Sequence, residues 1–140
     1  MKLRAFGAAL ALSLAAFAAD RAPPAETKVG PPRGTLLVVG GGAMGGLWDT
    51  FLALAGGKDA PLVVIPTANE KISDPDASVT ALRARGATNV VQLHTRDPKV
   101  ADTEEFAAPL RTARGVWITG GRQWRLADAY LGTRTLKELF

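Results

Sequence analysis

The sequence predicts an α/β domain with a parallel sheet in a doubly wound layer structure, on three observations. Short apolar runs recur from Gly34 onward, they lack polar alternation, and each is followed by apolar positions at helical spacing. Strands of that kind are buried on both faces, so helices are expected above and below the sheet. A chain of 140 residues allows one domain.

The ordered part begins late. Met1 to Ala18 has a basic start at Lys2 and Arg4, an apolar stretch from Ala5 to Ala18 and a small-residue end, Ala16-Phe17-Ala18, which is the layout of a secretory signal peptide. Its 14 apolar-rich residues are too few to cross a bilayer of about 30 Å, so cleavage and export to the periplasm or the outside are expected. Residues 19–33 hold four of the nine prolines with no apolar periodicity and read as a linker.

The first strand is expected at Thr35-Leu36-Leu37-Val38-Val39, with a glycine turn from Gly40 to Gly46. Leu47, Phe51, Leu52, Leu54 and Ala55 then lie at helical spacing, and Gly56-Gly57 stops that helix. Leu62-Val63-Val64-Ile65 is the second strand, ending at Pro66-Thr67-Ala68-Asn69-Glu70. Ala77, Val79 and Leu82 mark the helix that follows, closed by Gly86. Val90-Val91-Gln92-Leu93 is the third strand, and Phe106, Ala107 and Leu110 place a helix from about Thr103 to Ala113. The fourth strand, Val116-Trp117-Ile118-Thr119, breaks on Gly120-Gly121 and passes into a helical pattern at Gln123.

Composition excludes several classes of function. Loss of Lys2 and Arg4 with the signal lowers the formal charge from +4 to +2, and the remaining cations form no run, so no nucleic-acid partner is expected. There is no cysteine, hence no thiol nucleophile and no cysteine-held zinc. The one histidine, His94, ends the third strand and reads as a satisfied polar residue.

In an open parallel sheet, ligands bind outside the carboxyl ends of the strands. Three loops reach that edge: Gly40 to Gly46, Pro66 to Glu70, and Gly120 to Gln123. Glycine lets a backbone approach a ligand and present its N–H groups, which suits a phosphate or an oxyanion. Gly40, Gly42 and Gly45 satisfy the dinucleotide fingerprint in letters, but the first acid, Glu70, comes 25 residues after Gly45 and the second strand ends without one. No nucleotide cofactor and no metal are therefore expected.

Taken together, Thr35-Leu36-Leu37-Val38-Val39-Gly40-Gly41-Gly42, Val64-Ile65-Pro66-Thr67-Ala68 and Val116-Trp117-Ile118-Thr119-Gly120-Gly121-Arg122-Gln123 with Arg125-Leu126 resemble the cyanophycinase and dipeptidase E family of serine peptidases. The resemblance runs from Gly34 to Phe140, and the Thr-Gly-Gly-x-Gln turn is its most specific element. It implies a flavodoxin-like or class I glutamine amidotransferase-like sheet and hydrolysis of peptide or isopeptide bonds by acyl transfer. By position, the Gly120 and Gly121 backbone would serve the oxyanion hole, while Gln123, Arg122, Gly41 and Gly42 would touch substrate. Arg122 stands where the family usually has Asp or Asn. The resemblance brings a peptide or isopeptide substrate as partner, no membrane after signal cleavage, and a homodimer as a form open to the full-length protein.

The family's nucleophile lies in a Gly-x-Ser-Ala-Gly segment on the next strand. Ser13, Ser73 and Ser78 have no strand-to-elbow context. The 140 residues therefore read as the N-terminal part of such a peptidase, incomplete in its sheet, inactive alone and marginal in stability. A second reading is a non-catalytic α/β module that binds a small anionic ligand at its glycine loops.

Overall fold

A computed structural model describes residues 34–42 and 44–140. The expected signal peptide, residues 1–18, and linker, residues 19–33, lie outside the described residues. Helix α1 (Leu47–Ala55) buries Trp48, Phe51, Leu52 and Ala55 on one stripe and ends at Gly56, as the apolar spacing predicts. Strand β1 (Leu62–Ile65) is buried at all four positions. It pairs in parallel with β2 (Val90–Gln92) on one side and with β3 (Gly115–Ile118) on the other, giving the order β2-β1-β3.

Helix α2 (Ala77–Ala84) follows β1. Asp76 starts it by accepting a hydrogen bond from the Ser78 N–H at 2.8 Å, and its other carboxylate oxygen accepts from the Asn69 amide at 3.3 Å. Replacing Asp76 by alanine removes both acceptors at a buried site and is expected to cost about 1–2 kcal/mol, read as a lower urea midpoint. After β2 comes the short α3 (Pro98–Ala101), then α4 (Glu104–Thr112), capped by the Thr103 hydroxyl. Helices α5 (Trp124–Tyr130) and α6 (Arg134–Leu139) follow β3.

The sheet is covered on both faces, as unalternating strands require. Leu62 and Val64 pack with Trp48, Phe51, Leu52, Val79 and Leu82 of α1 and α2. Val63 and Ile65 pack on the opposite side with Leu93, Ala101, Leu110, Ala129 and Tyr130. Trp117 of β3 fastens that strand to α1, with ring centroids 4.5 Å from Trp48 and 5.2 Å from Phe51.

One expected strand is absent among the described residues. Thr35 to Val39 forms no ladder, and the sheet has three strands, not four. Both flanks of β1 are already filled by β2 and β3, so no central position is open to this segment. Leu37 instead packs on the α1 and α2 side of the core, while Leu36 and Val38 remain 81% exposed. The apolar run is met by packing of one residue, without backbone pairing.

Candidate functional site

The chain order marks one point on the sheet edge. From β1 the chain moves outward to β2, then returns across β1 to β3, so the progression reverses between β1 and β3. Chain segments leaving neighbouring strands at such a reversal lead toward opposite faces of the sheet, and ligands in open parallel sheets bind at that point. Here the loops are Pro66 to Glu70 after β1 and Thr119 to Gln123 after β3.

The two loops are joined at one peptide. The Thr119 N–H donates to Ile65 O at 3.1 Å, continuing the β1/β3 ladder, and the Arg122 N–H donates to Ala68 O at 2.9 Å. Gly121 lies between these bonds with φ of +133°, a conformation that side chains disfavour. A Cβ there would press on the Ala68 carbonyl oxygen and lie 2.7 Å from its carbon. Only glycine lets the turn seat on the β1 loop in this way.

The β1 loop is held by guanidinium groups as well. Arg125 donates to Ala68 O at 3.2 Å, and Arg96 donates to Asn69 O at 2.8 Å and Glu70 O at 2.9 Å. Every carbonyl from Ala68 to Glu70 thus has a donor. Gly120 and Gly121 are exposed, and among the described residues neither N–H has an acceptor. The Thr119 hydroxyl beside them is buried and without a partner among the described residues.

The other expected site residues are placed less closely. Gln123 precedes α5 with an exposed side chain that makes no capping bond. The exposed Arg122 guanidinium lies 5.3 Å from the centre of the Trp124 ring. Gly41 and Gly42, at φ of +96° and +95°, stand on the exposed loop before α1 with nothing within 4 Å of a Cβ position. The bonds that join the β1 and β3 loops do not extend to them among the described residues.

Behind these loops is a cluster that residue spacing did not reveal. The Thr67 hydroxyl, fully buried at the end of β1, is 2.9 Å from His94 Nδ1 and 2.6 Å from the Tyr130 hydroxyl. His94 is thus a satisfied polar residue, as its place at a strand end suggested, but its partners are 27 and, through Thr67, 36 positions away in the chain. Burial raises the Tyr130 phenol above its usual 10.0, more than hydrogen bonds to Thr67 and the Thr95 backbone lower it. Burial first, and the Arg96 charge second, lower His94 below 6.5.

The histidine shift sets a pH dependence. Folded His94 holds a proton less readily than the unfolded chain does, so unfolding takes one up at acid pH. Its neutral form suits the fold fully well above 6.5, and stability is expected to fall as pH drops through 6.5 toward the lowered folded value. Urea midpoints measured between about pH 8 and about pH 5 check this, and a His94→Gln variant should show a flatter profile across that window.

Among the described residues no group of three or more His, Asp or Glu could hold a metal ion, and no helix is long and apolar enough to cross a membrane. No protein-family model matches this chain, and no curated protein matches it.

Proposed function

We propose that the turn after β3, seated on the loop after β1, is the substrate-holding, oxyanion-side part of a cyanophycinase-like serine peptidase site. It would act on peptide or isopeptide bonds by acyl transfer, in a protein exported by its N-terminal signal. The observation that carries this reading is the seating of Gly121 on the Ala68 peptide, which leaves the exposed Gly120 and Gly121 N–H groups as donors at the chain reversal. The all-parallel order β2-β1-β3 supports it, since ligands in open parallel sheets bind where the strand order reverses, here between β1 and β3.

In this reading the two glycine N–H groups stabilise the oxyanion of the tetrahedral intermediate, a contribution of about 10²–10³ in turnover per donor. Gln123 and Arg122 contact the substrate, and Gly41 and Gly42 offer backbone to its far end. The attacking serine is not assigned among the described residues: Ser73 donates to Pro75 O before α2, and Ser78 sits in the first turn of α2. Reading the coding DNA onward from Phe140 tests the proposal. A Gly-x-Ser-Ala-Gly elbow within about 30 codons supports it, and an open frame of that length without one overturns it.

Arg122 favours a second reading. An exposed guanidinium where an acidic or amide residue is usual suits a small anion beside the glycine turn, without catalysis. Inorganic phosphate should then raise the melting temperature of the purified chain saturably, and Arg122→Gln should abolish the rise.

A further inference from the structure

A separate recess lies between the loop before α2, α2 itself and the end of β2. It measures about 450 Å³, within the range of about 300–1,000 Å³ common to small-molecule clefts, and Ser73, Asp74, Val79, Arg83, Gln92 and His94 line it. Two of these residues support the wall. The Gln92 amide accepts from the Asp76 N–H at 2.7 Å and donates to Ser73 O at 2.8 Å, while the Ser73 hydroxyl donates to Pro75 O at 3.0 Å.

Two others, both exposed, are charged. Arg83 spends one N–H on Val90 O at 3.3 Å, and among the described residues it meets no carboxylate in an ion pair; Asp74 likewise meets no cation. One cation and one anion thus line a single recess, neither in an ion pair among the described residues. Arg96, whose charge acts on His94, is committed to the Asn69 and Glu70 carbonyls.

Proton counting favours one tautomer of the imidazole. Tyr130 is 3% exposed, and its hydroxyl proton has Thr67 Oγ1 as side-chain acceptor among the described residues. Thr67 then gives its own proton to His94 Nδ1. The reverse direction would leave a buried phenol proton without an acceptor. In this arrangement Nδ1 is an acceptor and the remaining ring nitrogen, Nε2, carries the proton.

We propose that this recess binds a zwitterionic ligand of the amino acid or short peptide class, its carboxylate on the Arg83 guanidinium and the His94 Nε2–H and its ammonium group on Asp74. The buried Thr67 and Tyr130 hydroxyls act as positioning residues that keep the donor on Nε2. The site does not depend on the peptidase reading, because it shares no lining residue with the Gly120–Gln123 turn.

His94 is the only histidine, so its ring nitrogens give two unambiguous resonances in a long-range proton–nitrogen NMR spectrum of the full chain. Glycylglycine is expected to move the Nε2 resonance saturably, with a midpoint in the millimolar range, and acetate or methylamine should act at least about tenfold more weakly. Arg83→Gln and Asp74→Asn should each weaken glycylglycine by about tenfold while leaving the spectrum folded and the tautomer unchanged. Thr67→Val, a substitution of similar shape, should disturb the tautomer itself. No saturable shift with glycylglycine, an equal response to acetate, or a proton found on Nδ1 in the unaltered protein would each overturn the proposal.

Discussion

Replacing Gly121 by alanine is expected to lower the stability of the domain by about 2–6 kcal/mol. A non-glycine residue forced to a left-handed φ costs about 1–3 kcal/mol, and crowding a packed contact costs about 1–3 more. At φ of +133°, with the Ala68 peptide directly against the new methyl group, both costs apply and neither can be relieved without parting the β1 and β3 loops. Domains of this kind are stable by only about 5–15 kcal/mol, so the variant should unfold at a much lower urea concentration. Gly120→Ala is the matched control. Nothing lies within 4 Å of its Cβ position, and a change within about 0.5 kcal/mol is expected. Equal midpoints for the two variants would show that Gly121 is not seated as described.

Leu82→Ala is the second large effect, about 2–5 kcal/mol, because a completely buried side chain leaves a cavity that its neighbours only partly fill. Leu82 belongs to the cluster with Trp48, Phe51, Leu62, Val64 and Val79 on one face of the sheet. Val63, on the opposite face, is the next residue in the same strand as Leu62 and Val64. The loss should therefore be felt across both faces, with amide hydrogen exchange in α4 accelerating along with that in α2. Acceleration confined to α1 and α2 would show that the faces open independently.

Much of this architecture was legible in residue order. The unalternating run Leu62 to Ile65 announced a strand covered twice, and Trp48, Phe51, Leu52 and Ala55 fall on the stripe that α1 buries. The helix after β3 starts at Trp124, beside the expected Gln123, because the glycine pair ends the strand there. Strand order was not legible, since periodicity reports burial and not neighbours. For the same reason Thr35 to Val39 looked like a strand: its apolar letters describe affinity for a core, and Leu37 satisfies that without pairing. The joining of the β1 and β3 loops was legible only as two suggestive glycines. Thr67, His94 and Tyr130 meet across separations of 27 and 63 residues, which no local pattern encodes.

The way the β1 loop is tied has a consequence for how ligands arrive. Arg96 and Arg125 spend N–H groups on neutral carbonyls, and the ion pairs found among the described residues involve Arg85, Arg111 and Arg134 instead. Together with Arg122, they leave positive charge standing at the carboxyl edge of the sheet. Such a field draws anionic molecules in faster than diffusion alone and is damped by salt over a screening length of about 10 Å at 0.1 M. Added salt should thus slow the association of an acidic ligand while leaving the carbonyl-tied loop in place.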